Sequence, residues 1–314
     1  MVDNAGIRAA AARMRGDLHV TPVTLDSKLG AIIKWENHQV TGSFKARGAL
    51  NAVKSLSPQQ LKAGIVAVSA GNHGQGIALA AAGANCRAHV FLPHSAATVK
   101  VDAIQKLGAE LHFIPGGYEQ AEAAAILFAR QAGMPFISPY NNEQVISGQG
   151  TIGLELENQI DLSQYRQVVV PVGGGGLISG IGMAILDAHP GIHLIGAQAA
   201  GSPFFHAVFH GLPQENIIED IGLADGLEGR VDVASITIPL VRRLVEDIVL
   251  ISEEGIKAAI RYAWQAHGEV IEGSAAVALA ALLDGKINAE PTVVVISGGN
   301  IHPPLFTEIV ANTA

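Results

Sequence analysis

Apolar residues fall along this chain in two alternating rhythms. Between residues 64 and 140, short unbroken apolar runs are separated by longer stretches of helical spacing. Ile65-Val66-Ala67-Val68, Ala88-His89-Val90-Phe91-Leu92, Leu111-His112-Phe113-Ile114 and Pro135-Phe136-Ile137 read as buried strands. The stretches between them read as helices: from about His73 to Ala82, onward to Leu107, and from Tyr118 to Gln131. The helices stop at Gly83, Gly108 and Gly133, and Gly64 closes the one before. Glycine can turn left-handed there without a Cβ clash. The last three glycines are 25 residues apart, the length of one strand-plus-helix unit, which predicts a small parallel sheet with helical crossovers.

The flanks repeat the rhythm less regularly. A short helix is expected over 6–16, then an extended Thr21-Pro22-Val23 and a hairpin-like pair through Leu25 and 32–36. Ser57-Pro58 opens a brief helix, serine as cap and proline in the first turn. Later come a helix over 145–160, a strand over 167–172, four glycines, a helix from Leu177 to Leu186 and a strand over 192–196. Residues 199–240 look irregular. Helices at 240–246, 252–266 and 273–283 surround a short strand over 248–250, and Val293 to Ile296 is the last strand. The pattern predicts an α/β chain of two domains with open, mostly parallel sheets. Residues 51–140 form the small domain, 1–50 and 141–314 the large one, the first residues returning to join it.

Composition narrows the class. The 314 residues are 49% hydrophobic and only 15% charged, with 36 glycines, the profile of a glycine-rich α/β enzyme rather than a disordered chain. The low charge points to surface hidden between subunits. With 20 basic against 28 acidic residues and no Lys/Arg run, the chain lacks the basic stripe of a nucleic-acid binder. A single cysteine, Cys86, excludes an internal disulfide; it is expected near-buried at a strand start. Neither a signal-peptide core nor a bilayer-length apolar run is visible, so no membrane partner and a cytoplasmic location are expected.

Candidate chemistry begins at Thr41-Gly42-Ser43-Phe44-Lys45-Ala46-Arg47-Gly48-Ala49. A lysine where a loop enters a helix can form a Schiff base with the carbonyl of a substrate or a cofactor, or can simply snorkel at the surface. Three polar or glycine-rich loops follow strands: Ser69-Ala70-Gly71-Asn72-His73-Gly74, Gly173-Gly174-Gly175-Gly176 and Ser297-Gly298-Gly299-Asn300. Ligands gather beyond the carboxyl ends of parallel strands, so three such loops point to one cleft. Four glycines before a helix expose backbone N–H groups to a phosphate. Leu177 and Ile178 replace the Lys-Ser/Thr pair of a P-loop, and the dinucleotide spacing is absent, leaving a phosphate that is not a nucleotide's. Asn72 offers donor and acceptor. His73 is either a base or a loop-orienting residue, and the lone hydroxyl of Ser297 wants a ring nitrogen or a carbonyl. Asp225 either binds a cation or caps its own turn. Glu272 reads as a helix cap. His19, His38, His89, His94, His112, His193, His206, His210, His267 and His302 lack zinc-like spacing and read as structural or exposed, so no metal ligands are assigned.

Together these motifs, with Gly148-Gln149-Gly150-Thr151, resemble those of the fold-type II pyridoxal-phosphate enzymes, in the same order and over nearly the whole catalytic domain. The chain is similar to the threonine/serine dehydratases and serine racemase within that group. The resemblance implies a tryptophan-synthase-β-like fold, a pyridoxal 5'-phosphate cofactor and a homodimer. By it, Lys45 joins the cofactor as a Schiff base, Phe44 packs on its ring and Asn72 binds the 3′ oxygen. Gly173 to Gly176 hold the phosphate, and Ser297 faces the ring nitrogen. Ser69, Ala70, Gly71 and His73 receive the substrate carboxylate, with Tyr140 also at the substrate. The chain ends near 314, which by this comparison leaves out the regulatory domain of the biosynthetic dehydratases.

Several positions depart from relatives. The racemase carries a serine where Ala70 stands, so racemisation is expected to be weak. Metal-binding members place carboxylates where Gln198 and Phe204 stand, with a backbone carbonyl at the position of Ser202, and the loss of both carboxylates counts against that divalent-cation site. Tyr140 replaces a phenylalanine or asparagine. The expected activity is β-elimination from L-threonine or L-serine, giving a 2-oxo acid and ammonia. Alternatives are a dehydratase for another small-molecule hydroxy-amino acid (phenylserine, 3-hydroxyaspartate or the hydroxyectoine-catabolism type) and an amino-acid racemase.

Overall fold

A computed structural model of the chain describes residues 2–311. In chain order the helices are α1 (Asn4–Arg13), α2 (Lys45–Lys54), α3 (Pro58–Ala63), α4 (Asn72–Gly83), α5 (Thr98–Lys106), α6 (Tyr118–Ala132) and α7 (Glu143–Gln159). They continue with α8 (Gly176–Ile185), α9 (Phe204–Phe209), α10 (Thr237–Leu244), α11 (Glu253–His267), α12 (Gly273–Leu283) and α13 (Pro303–Ala311). The strands are β1 (Val23–Asp26), β2 (Ala31–Trp35), β3 (Ile65–Val68), β4 (Ala88–Pro93), β5 (Glu110–Ile114), β6 (Gln167–Pro171), β7 (His193–Ala199), β8 (Asp247–Ile251) and β9 (Thr292–Ile296).

They make two sheets. The larger has the order β1-β2-β9-β6-β7-β8, parallel except for the β1–β2 hairpin; the smaller is the parallel β3-β4-β5. A continuous apolar run has no wet face, so each sheet is covered on both sides. Ile152, Ile178 and Ile181 pack one face of the large sheet; Ile260, Val277 and Leu279 pack the other. Val53 and Ile77 cover one side of the small sheet, and Ala121 and Ala125 the other.

Local chemistry accounts for the element ends. Ser57 caps α3 reciprocally with Gln60, and Asn142 accepts from Gln144 and Val145 to start α7. Gly64, Gly108 and Gly133 take positive φ as expected. Gly83 does not. It is the last residue of α4, and Asn85 makes the left-handed turn with φ 51°.

Other expectations are corrected. Pro135-Phe136-Ile137 is not a strand but a bridge of Phe136 to Val66, because Pro135 has no N–H to continue a ladder. α7 begins at Glu143, so Gly148, Gly150 and Gly153 lie inside it. They permit close approach: a Cβ on Gly148 would stand 2.6 Å from the Arg47 carbonyl, and one on Gly150 2.8 Å from that of Gly180. Residues 199–240 contain α9 and the start of α10, and α13 had no sequence signal singled out for it. Cys86 is half-buried and lies two residues before β4. Among the described residues no helix is long and apolar enough to cross a membrane.

Candidate active site

The lysine loop owes its shape to the loop after β9. Thr41 and Gly42 both take positive φ, and a Cβ on Gly42 would meet Asn300 Oδ1 at 2.5 Å. Gly299 N donates to Gly42 O, Ser43 bridges Gly298, and Phe44 N donates to Ser297 O at 3.0 Å. These bonds tie Lys45, the first residue of α2, to the end of the large sheet. Arg47 is then anchored among buried charges. Its guanidinium bonds both oxygens of Glu36 at 2.7 and 2.8 Å and both of Glu155 at 2.6 and 3.0 Å. Lys34, fully buried in β2, reaches Glu155 at 2.6 Å, so two cations face two anions.

The resulting cleft, of about 510 Å³, is bordered by every residue proposed from the sequence: Phe44, Lys45, Ser69, Ala70, Gly71, Asn72, His73, Tyr140, Gly173, Gly174, Gly175, Gly176 and Ser297. Lys45 Nζ stands 5.0 Å from the Phe44 ring centre and donates to Pro139 O at 3.3 Å. Burial lowers its pKa to about 8, against the pull of the Glu272 carboxylate. An amine so placed reaches its reactive neutral form near physiological pH.

The glycine loop descends from β6 into the N-terminus of α8, with Gly175 left-handed at φ 81° as its cap. Close packing, and not chain flexibility alone, requires glycine here. A Cβ on Gly174 would lie 2.2 Å from Tyr140 Cγ, and one on Gly175 2.6 Å from Phe205. Thr237 Oγ1 donates to Gly174 O at 2.8 Å and fixes the turn. A backbone nest at a helix N-terminus is a site for an anionic phosphate. With a deprotonable lysine on the same cleft, the residues present fit pyridoxal phosphate.

Asn72 is held from two sides. Its Nδ2 donates to Glu272 Oε1 and its Oδ1 accepts from Asn300 Nδ2, each at 2.7 Å. Glu272 occupies the N-cap position of α12, its carbonyl accepting from Ala275 N and Ala276 N, but its side chain is turned elsewhere. That side chain makes no capping bond to α12, and its buried carboxyl is raised to about pH 7 by burial, with Asp225 adding to the shift. His73 has its Nε2 3.0 Å from Ile137 O, and burial, then Lys45, lowers its pKa to about 3. A ring that stays neutral so far down is a weak base, which favours the loop-orienting reading. Ser69 Oγ accepts from Gly71 N at 3.0 Å. Asp225 ion-pairs with Lys100. At the departed metal positions, Gln198 accepts from His206 N, Ser202 Oγ donates to Glu219, and Phe204 is in the core.

Comparison with known proteins decides the family. The family model described as pyridoxal-phosphate dependent enzyme matches residues 16–298. The chain belongs to this family. It is 36% identical to the L-threonine ammonia-lyase of Thermotoga maritima, over 99% of this chain and 78% of that one. It is 41% identical to the catabolic L-threonine dehydratase TdcB of Escherichia coli strain K12, over 88% of this chain and 84% of that one. The crystal structure of serine racemase from Dictyostelium discoideum superimposes with a TM-score of 0.86 at 33% identity, covering 96% of this chain and 99% of the other. As a pyridoxal-phosphate enzyme, the chain draws its cofactor candidates from residues already visible in its loops.

Sequence reasoning gave Glu272 only a capping role and passed over Lys100, Tyr118 and Arg230, all of which also border the cleft. The signal for Glu272 was an acidic residue directly before the apolar run of α12, and it reads equally as a cap. Lys34 and Glu36 lie in and directly after a strand buried throughout, and that placement was the available clue to the ion network.

Proposed function

We propose that this chain removes ammonia from L-threonine and L-serine through β-elimination of water, releasing a 2-oxo acid. The supporting observation is the meeting of Lys45 and the four-glycine helix terminus on one cleft. The resemblance to threonine ammonia-lyases over most of the chain gives the reaction class.

When bound, pyridoxal phosphate supplies an electron sink that acidifies the substrate's α-carbon. Gly173 to Gly176 would hold its phosphate, Lys45 its aldehyde carbon, Phe44 its ring face, Asn72 its ring oxygen and Ser297 its ring nitrogen. The backbone from Ser69 to His73 would receive the substrate carboxylate. Tyr140 bounds the space for the side chain. Lys45 Nζ, able to lose its proton near pH 8, takes the Cα proton. A hydroxyl at Ser297, unlike a carboxylate, does not stabilise a proton on the ring nitrogen, which favours elimination over transamination. For threonine the balance is one 2-oxobutanoate and one ammonia, the water lost at Cβ being regained on hydrolysis.

A second reading, a different 3-hydroxy amino acid, draws on Tyr140, Tyr118 and Arg230 at the cleft, which suit an aryl or carboxylate β-substituent. Racemisation is disfavoured because Ala70 offers only a methyl group. Purified protein loaded with cofactor should release ammonia fastest from L-threonine or L-serine in a panel that includes phenylserine and 3-hydroxyaspartate. Recovered serine should keep its configuration by chiral chromatography. Preferential turnover of another substrate would move the assignment within the class, and activity retained in Lys45→Ala would end it. The same reading divides the chain into 51–140 and the remainder and makes it a cytoplasmic homodimer; sedimentation tests the dimer.

A further inference from the structure

Remote from the cleft chemistry, on the face of the small sheet covered by α6, two histidines and a glutamate converge. The parallel register sets His89 of β4 opposite Glu110 of β5 and Phe91 opposite His112. Side chains at i and i+2 share a face, so both imidazoles and the carboxylate project together. His89 Nδ1 lies 3.0 Å from His112 Nε2 and 3.5 Å from Glu110 Oε2, and His112 Nε2 is 3.6 Å from Glu110 Oε1. No other group of three His, Cys, Asp or Glu donors among the described residues comes together in this way.

We propose that His89, His112 and Glu110 form a binding site for a divalent transition-metal ion of the zinc class. A tetrahedral zinc with ligands at about 2.0–2.1 Å has ligand–ligand edges of roughly 3.3 Å; the nitrogen–nitrogen edge is 3.0 Å, and Glu110 meets the two rings through different oxygens at 3.5 and 3.6 Å, with one ligand atom from each residue within 4.8 Å of the other two. Two neutral nitrogens and one carboxylate are a zinc-type donor set, with a fourth position left for water. The rings are held in place: His112 stacks on Phe91 at 4.5 Å and 11°, and His89 packs on Phe128 at 5.1 Å. His89 is only 6% exposed, and its Nε2 has no hydrogen-bond partner. A metal on Nδ1 would keep the ring proton on that nitrogen. The ion would tie β5, the edge of its sheet, to β4. The sequence hides the site because its two histidines are 23 residues apart and meet only across neighbouring strands.

The test uses the cofactor-loaded protein after chelator treatment, titrated with zinc chloride by calorimetry and with cobalt(II) by visible absorption. One zinc per chain, a tetrahedral cobalt spectrum and a raised melting temperature are expected. His112 is half-buried and Glu110 exposed, so His112→Gln and Glu110→Gln should fold. Each should weaken zinc binding by more than roughly tenfold, at least what loss of a supporting contact costs, while ammonia release stays unchanged. No saturable binding, or equal binding in both variants and the parent, would show a hydrogen-bonded histidine pair only and overturn the proposal. Because the readout is metal binding, its failure leaves the lyase reading intact.

Discussion

Gly174→Ala tests the close-packed account of the glycine loop. Gly174 does not have a left-handed φ, so its backbone accepts alanine and only the new methyl matters. That methyl would stand 2.2, 2.4 and 2.6 Å from Cγ, Cδ1 and Cδ2 of Tyr140, where ordinary contact begins near 3.4 Å. The ring must move by more than an ångström, yet its hydroxyl accepts from Asp232 N at 3.1 Å and its backbone lies against Gly176. Overpacking of this kind costs about 1–3 kcal/mol. If that strain falls wholly on the cofactor-bound state, affinity drops roughly five- to 140-fold. Tyr140→Ala removes the obstacle, so adding Gly174→Ala to it should cost little, leaving a coupling of at least about 1 kcal/mol between the two sites. Cofactor affinity by absorbance titration and urea denaturation of the cofactor-free protein would measure both legs of the cycle. Equal penalties in the two backgrounds would refute the collision and return the glycines to a role based on flexibility.

Two further outcomes follow from the buried charges. Glu36→Gln leaves Lys34 and Arg47 facing the single carboxylate of Glu155, so urea denaturation should show a loss of about 3–5 kcal/mol; a loss below 1 kcal/mol would mean that Arg47 is not held as described. Uptake of pyridoxal phosphate by the cofactor-free protein needs the neutral Lys45 amine, so its rate should climb with pH and level off above about 8. Glu272, with its own pKa of about 7, is ionised at that bend and holds the lysine proton; Glu272→Gln should move the bend to lower pH in stopped-flow absorbance, and an unmoved bend would contradict the coupling.

The sequence alone determined the alternation of strands and helices, the strand-then-glycine loops and the lysine at a helix start, because each rests on residues adjacent in the chain. Period and turn chemistry are local, and a continuous apolar run announces a buried strand whatever covers it. Local signals failed where a partner decides: Gly83 does end its helix but Asn85 makes the left-handed turn, and Pro135 to Ile137 read as a strand although a single bridge forms. Only the tertiary structure turned the Glu272 side chain to Asn72 and set its charge to act on Lys45, paired Asp225 with Lys100, and set His89 beside His112. These are contacts between groups as many as 200 residues apart, as with Asn72 and Glu272, and the charge states of Lys45 and Glu272 depend on burial that no stretch of sequence carries by itself.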